Sequence, residues 1–227
     1  MPFTKKHTMV TLLVVAIIAV IIVPAALYWH SLRPWQHVVN LDYVYQAKIA
    51  AASPHDPNPR NNLAQLPAGY QIFDNVRFKV AGLIQLADGN DVTRTNNPYP
   101  PSVENISVNQ LCHQLHILHG TVRGVDNQTV VGSLVLHYTD GTVGKLNIVY
   151  GQQVYDWWFR GADDLSLAGN SKIAWMGDNP EATREKYRIR VFKTSFANPK
   201  PDVRIDTVDF VSALTPSAPF LLALTVE

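Results

Sequence analysis

An unbroken apolar run near the N-terminus limits what this 227-residue chain can fold into. From Met9 to Trp29 every residue is apolar or aromatic except Thr11. A helix over this run would be about 31 Å long at 1.5 Å per residue, close to the roughly 30 Å thickness of a bilayer core. The run therefore predicts a transmembrane helix over residues 9–29.

The basic residues around this run predict its orientation. Lys5 and Lys6 precede it, and only Arg33 follows closely. The positive-inside rule then makes residues 1–8 a cytoplasmic tail and places the rest of the chain outside. We expect a bacterial inner-membrane protein with a periplasmic β domain. Its outer membrane interface would hold the aromatic side chains of Tyr28, Trp29 and Trp35.

A cleaved signal peptide is the alternative interpretation of the same residues. Lys5 and Lys6 would form its basic region, and Val23-Pro24-Ala25 before Ala26 resembles a small-residue cleavage site. The length of the run favours the anchor. Under either interpretation the remainder of the chain is exported from the cytoplasm.

Residues 30–70 are predicted to be an extended connector. The stretch 38–52 is compatible with a short helix or strand. Ser53–Arg60 carries three prolines in the sequence SPHDPNPR, which excludes both.

Apolar residues alternate with polar ones after Tyr70, and turn residues interrupt this pattern at short intervals, which is typical of an all-β domain. We predict a jelly-roll-like β-sandwich over residues 71–227, with no helix beyond residue 70. The predicted strands are Val76–Leu86, Ile106–Val108, Gln114–His119, Val130–Tyr138, Leu146–Tyr150, Val154–Trp158, Lys172–Met176, Tyr187–Phe196, Arg204–Val211 and Phe220–Val226. The clearest hairpin turns at Thr139–Thr142, and its first strand is apolar on both faces, which indicates a central position.

Charge and cysteine content exclude several functions. The formal net charge is +1, so the chain lacks the basic field that binds nucleic acid. Cys112 is the single cysteine, which excludes an internal disulfide and the usual cysteine zinc sites. We predict no cofactor and no metal.

Two polar clusters have residue types that can bind a metal ion. His113, His116 and His119 are three residues apart, so on a strand the middle one points away from the other two. Hydrogen-bonded histidines at a sheet edge are the preferred interpretation. The sequence Asp88-Gly89-Asn90-Asp91 is rich in oxygen ligands, but it lacks EF-hand spacing, so a plain turn is favoured over a calcium site.

Aromatic residues are the best candidates for a binding site. Trp157 and Trp158 are adjacent, so on a strand one enters the core and the other faces a loop or a partner. Together with Tyr155 and Trp175 they are predicted to bind a partner or a glycan. No nucleophile motif or phosphate loop is present, and we expect no enzyme activity.

Several short motifs between Phe73 and Glu227 carry a resemblance. They are FDNVRFKVAGLIQL, PPSVENISVNQLCHQLHILHG, YTDGT, YGQQVYDWWF, IAWMGDNP, NPKP and FLLALTV. This order resembles an exported bacterial β-sandwich module of the galactose-binding or carbohydrate-binding-module kind. The resemblance covers about two thirds of the chain and implies a jelly roll, without specifying a ligand.

These observations predict a non-catalytic accessory subunit that is anchored in the membrane and helps to hold a larger complex together. Its partners would be the membrane and other integral membrane subunits, for example those of a photosynthetic reaction centre–antenna assembly. The alternative is an extracytoplasmic carbohydrate-binding module that uses the tryptophans to stack on sugar rings.

Overall fold

The computed structural model describes residues 36–51, 53–91, 98–161 and 166–227, and these residues are mostly β-strands. The all-β class predicted from the alternating pattern is confirmed. The strands in chain order are β1 His37–Val38, β2 Ala47–Lys48, β3 Gly69–Phe73, β4 Val76–Val80, β5 Gly82–Gln85, β6 Ser102–Gln110, β7 Gln114–Val122, β8 Val130–Tyr138, β9 Val143–Val149, β10 Trp158–Phe159, β11 Ser171–Gly177, β12 Arg188–Ala197, β13 Ile205–Ser212 and β14 Ala218–Val226. A 3₁₀ turn covers Ile49–Ala51, and one short helix, α1, covers Pro180–Arg184.

The described strands form three antiparallel sheets. The large sheet has the order β10-β12-β7-β14-β5-β2, with β1 paired to β14 and β11 paired to β12. A four-stranded sheet has the order β6-β13-β8-β9, and β3 pairs with β4 in a separate hairpin. The large and four-stranded sheets give a sandwich-like arrangement.

Both faces of the large sheet are covered by apolar side chains. Leu115 and Ile117 of β7 belong to a core that also contains the inward residues of the four-stranded sheet, such as Leu134. Leu118 belongs to a second core on the opposite face, with Phe78 of the β3–β4 hairpin. The large sheet is therefore the middle layer between two cores.

The strand β8 confirms the prediction of a central strand. It lies between β13 and β9, and its hairpin partner β9 begins at Val143. The turn between them has a positive φ only at Gly141, and the Asp140 side chain accepts a hydrogen bond from the Thr142 backbone nitrogen at 3.0 Å. The hairpin is therefore closed by a loop that the Asp140 side chain caps.

The predicted strand Val76–Leu86 is wrong as a single element. It is divided at Ala81 into β4, which pairs with β3, and β5, which pairs with β14 and β2. A side chain at Gly82 would overlap the ring of Tyr45 and the Ala47 carbonyl. Gly82 therefore allows the connecting segment to approach closely, and the chain crosses from the hairpin to the large sheet here.

The predicted strand Val154–Trp158 is also wrong over most of its length. Only isolated bridges at Val154 and Asp156 and the two-residue β10 form there. The Gly151 nitrogen bonds the Val154 oxygen, and the Trp157 nitrogen bonds the Thr121 oxygen. The backbone groups of this segment therefore form turn hydrogen bonds and one hydrogen bond to β7, and they do not pair continuously with a neighbouring strand.

The helix α1 contradicts the prediction that no helix follows residue 70. Asn179 caps it by accepting a hydrogen bond from the Ala182 nitrogen at 2.7 Å, and Pro180 begins the helix. Asparagine at the cap followed by proline is a common helix start. At five residues, the helix is too short for its periodicity to be recognised in the sequence.

Much of the predicted connector packs with the β strands. The compact unit begins at Gln36, and it buries Val39, Leu41, Leu63 and Leu66. The proline-containing segment Ser53–Arg60 is neither helix nor strand, as expected.

The predicted anchor over residues 9–29, together with Tyr28, Trp29 and Trp35, lies outside the described residues. In the part of the chain from residue 36 onward that the structure describes, no helix is long and apolar enough to cross a membrane.

The close contact between β7 and β14 generates a stability prediction. Gly120 lies opposite Phe220, and a methyl group at Gly120 would overlap the buried Phe220 ring. We expect Gly120→Ala to lower the free energy of unfolding by about 1–3 kcal/mol, because overpacking forces shifts in a dense core. Urea unfolding followed by circular dichroism measures this change.

Gly169→Ala is the matched control, since nothing lies within 4 Å of a methyl group there. Equal stability of the two variants would contradict the packing described for β7 and β14.

Candidate functional site

A cleft of about 490 Å³ opens beside β10, where several loops meet the end of the large sheet. This volume lies in the usual range for small-ligand sites. The lining residues are Pro54, His55, Asp56, Asn61, Val122, Arg123, Asp156, Trp157, Trp158, Arg160, Glu185 and Tyr187.

One wall of the cleft is aromatic. The Trp158 and Tyr187 rings lie 5.3 Å apart, and the Arg160 guanidinium lies 3.9 Å from the centre of the Tyr187 ring. The Trp158 indole nitrogen donates to the Asn61 Oδ1 at 3.1 Å, and an Arg160 nitrogen donates to the Glu185 carbonyl at 3.0 Å. These contacts hold the ring of Trp158 and the charge of Arg160 in place.

Asp156 supplies a carboxyl group to the cleft. Burial raises the pKa of Asp156 to about 6, although hydrogen bonds from the Trp158 and Arg123 backbones and the charge of Arg190 oppose the shift. The Asp156 backbone oxygen also accepts a hydrogen bond from Arg190 Nε at 2.9 Å. A carboxyl with this pKa is half protonated near pH 6 and can donate or accept a hydrogen bond.

A charged network supports the opposite wall. Asp88 contacts the Arg123 guanidinium, and Asp91 contacts the His55 ring. Arg123 Nε is also fixed by the Pro216 carbonyl at 3.0 Å. Buried carboxylates need such partners, because unpaired charge is costly away from water.

This network contains a possible set of metal ligands. One ligand atom from each of His55, Asp88 and Asp91 lies within 4.8 Å of the others. Asp88 Oδ1 accepts hydrogen bonds from the Asn90 and Asp91 nitrogens at 2.8 and 2.9 Å. The Asp88–Asp91 segment is therefore a turn closed by its own side chain, and the geometry already gives its carboxylates protein partners.

Two residues of the cleft have unusual backbone conformations. His55 has a φ of 49° and Arg123 a φ of 70°, in the left-handed region that L-residues other than asparagine, aspartate and histidine rarely adopt. Seven other described non-glycine residues, all outside the cleft, also have a positive φ, so these conformations are not peculiar to the cleft.

The structure separates the four aromatic residues predicted to bind a ligand. Trp157 is only 1% exposed and packs edge-on to Phe220 in the second core, whereas Trp158 is partly exposed in the cleft. Trp175 packs over Gly177 on β11, and Tyr155 packs against Tyr150. The cleft therefore brings together Trp157 and Trp158, of which only Trp158 presents an accessible ring, while Trp175 and Tyr155 lie elsewhere.

Two of the three histidines, His116 and His119, lie on β7 in the centre of a sheet and not at its edge, because β7 pairs with both β12 and β14. His119 is buried and bonds the Thr194 hydroxyl at 2.9 Å, and His116 bonds the Ser195 hydroxyl at 2.8 Å. Exposed His113 precedes the strand.

The lone cysteine has an unreactive environment. Burial raises the pKa of Cys112 to about 11, and the Asn198 amide donates to its carbonyl at 2.8 Å. The thiol is therefore protonated at neutral pH.

Sequence reasoning missed most of the cleft. Asp156 stands between Tyr155 and Trp157, so a carboxylate beside an aromatic cluster was available as a signal. His55 and Arg123 are 68 residues apart and carry no common motif. Only folding brings them together.

A scan against models of protein families finds none that matches the chain, and a search of curated proteins likewise returns no match.

The raised pKa of Asp156 generates a prediction about stability. The folded state binds this proton more tightly than the unfolded chain does, so stability falls as pH rises from about 4 to 6. Above pH 6 the ionised carboxylate costs roughly 2–3 kcal/mol. We expect Asp156→Asn to be more stable than the wild type at pH 8 and to lose that advantage at pH 4, as measured by urea unfolding.

Asp140→Asn is the control, because the pKa of Asp140 is lowered whereas that of Asp156 is raised. A hydrogen bond from Lys200 is the main cause that lowers the pKa of Asp140, so removing its charge should not stabilise the protein at pH 8. If Asp156→Asn gave the same gain at both pH values, the assigned burial of Asp156 would be wrong.

Proposed function

We propose that this protein binds a carbohydrate in the cleft beside Trp158. The observation that carries the proposal is the aromatic wall formed by Trp158 and Tyr187 next to a carboxyl and a guanidinium group. The C–H face of a sugar ring packs on an aromatic ring, while its hydroxyls need hydrogen-bond donors and acceptors at fixed positions.

The polar groups of the cleft suit hydroxyl recognition. Asp156 offers a carboxyl group that the Trp158 backbone nitrogen holds in place at 3.2 Å, and Arg160 is held by its stacking on Tyr187 and by the Glu185 carbonyl. Groups that are positioned before binding lose little conformational freedom when a ligand arrives, which increases affinity. Rigid polar groups around a ring-sized cleft thus support a saccharide ligand.

The architecture is compatible with this function. We infer that the sandwich is a jelly roll of the galactose-binding or carbohydrate-binding-module kind, as the motifs between Phe73 and Glu227 suggest. We also propose that it is tethered outside a bacterial inner membrane by residues 9–29. A tethered binding module of this type would face the polysaccharides of the cell envelope.

Replacing Trp158 tests the proposal. We expect the wild type to bind at least one member of a panel of cell-wall and storage polysaccharides, and Trp158→Ala to bind it at least about tenfold more weakly, a loss of about 1.4 kcal/mol. Isothermal titration of the full-length protein measures this in a detergent without a sugar headgroup, since maltosides and glucosides would compete.

Trp175→Ala is the matched control, because Trp175 is also partly buried but lies outside the cleft. It should bind like the wild type. A flat response to the whole panel by folded protein would contradict the proposal, and so would equal losses in the two variants.

The accessory-subunit role stays a prediction from the sequence. We expect gentle extraction of native membranes, followed by isolation of this protein, to recover integral membrane partners in stoichiometric amounts by mass spectrometry. Recovery of the protein alone would contradict a structural role in a complex without affecting the carbohydrate proposal.

A further inference from the structure

The β3–β4 hairpin has one face in the core and one face on which Tyr70 and Ile72 are exposed in the described structure. Phe78 and Val80 on the inner face are fully buried in the second core. The outer face carries Tyr70 and Ile72 of β3 opposite Lys79 and Arg77 of β4. These four residues are called the hairpin face below.

The hairpin face is unusually apolar for exposed surface. Ile72 is 69% exposed, the highest value for a large hydrophobic side chain in the described residues, and Tyr70 is 60% exposed. They are two positions apart on one strand, so they point the same way. Arg77 covers part of the Tyr70 ring, with its guanidinium carbon 4.3 Å from the ring centre.

The chain enters the β unit directly beside this face. The Arg77 backbone nitrogen donates to Gln36 Oε1 at 3.0 Å, and Gln36 Nε2 donates to the Asn75 carbonyl at 3.2 Å. Gln36 is thereby fixed to the hairpin at its turn. The apolar run ends at Trp29, and the intervening residues reach at most about 25 Å when fully extended.

We propose that the hairpin face rests on a lipid bilayer surface. This inference depends on the predicted membrane anchor and not on ligand binding in the cleft. An anchor that ends seven residues before Gln36 keeps the hairpin within reach of the interface. Tyrosine is enriched at membrane interfaces, and an isoleucine beside it gains by leaving water for the boundary of the acyl chains.

The charges on the hairpin face agree with this occupant. Arg77 and Lys79 are both cations, and Lys79 is paired with Asp42. Long basic side chains can bury their carbon stems while the charged ends reach lipid phosphates. The hairpin turn is fixed to the large sheet, because Asp74 accepts hydrogen bonds from Lys172 of β11 at 2.7 Å and from Lys193 of β12 at 3.1 Å. A rigid ribbon can therefore hold its two apolar side chains against the membrane.

Depth-dependent quenching tests the proposal on the full-length protein reconstituted in vesicles. A polarity-sensitive fluorophore is attached at Ile72→Cys, and nitroxide groups are placed on lipids near the headgroups. The native Cys112 is only 3% exposed and should not react. We expect a blue shift of the emission and strong quenching at this position, and the same at Tyr70→Cys as an independent second site.

Val143→Cys is the matched control. Val143 is 60% exposed, like Tyr70, but it lies on β9 at the edge of the four-stranded sheet. The fluorophore there should emit as in water and resist quenching. Equal quenching at positions 72 and 143 would overturn the proposal, as would unquenched emission at both hairpin positions.

A second copy of the chain is the competing occupant. It would appear as energy transfer between donor- and acceptor-labelled Ile72→Cys molecules that rises with protein density, without quenching by the lipids. That result would overturn the lipid assignment and identify the hairpin face as a contact between copies.

Discussion

The burial of β14 on both faces is the constraint on which the rest of the structure depends. All nine residues of this strand are buried. It contributes to both cores, with Leu221, Leu224 and Val226 in one and Phe220, Leu222 and Ala223 in the other. Its backbone pairs with β7, β5 and β1. Such a strand has no solvent face, so layers must cover it on both sides. The four-stranded sheet provides one cover, and the hairpin with its neighbouring loops provides the other.

The cleft forms at the margin of the layer of hairpin and loops that covers the second face of β14. Trp157 enters the core under Phe220, which leaves its neighbour Trp158 at the rim beside Tyr187. The loop that carries His55 closes the other side through its contact with Asp91. Each wall is fixed by the fold before any ligand arrives, so a ligand would meet a cavity that is already formed.

Strands bounded by clear turn residues were predictable, and segments that change partner were not. The strand Val130–Tyr138 was predicted with its observed bounds, because its apolar residues and its Asp-Gly turn agree. The run Val76–Leu86 looked equally continuous, yet it divides at Ala81 because Gly82 must pass close to Tyr45. The five-residue helix after Asn179 was missed because it contains too little periodic sequence. At the site, the sequence predicted only that one of the neighbours Trp157 and Trp158 would be accessible, because adjacent residues on a strand point to opposite faces.

The sequence by itself determined the class of the fold, since alternation of apolar and polar residues is a local property that each strand carries. It also determined the absence of an internal disulfide, through the single Cys112. Only the tertiary structure decided that His55, Arg123 and Asp156 share a cleft, and that Trp158 and not Trp157 faces it. These relations depend on strand register and on loops between distant elements, and a one-residue shift of register would exchange the two faces of a strand. The energy that selects the register is spread over both cores, so no short motif contains it.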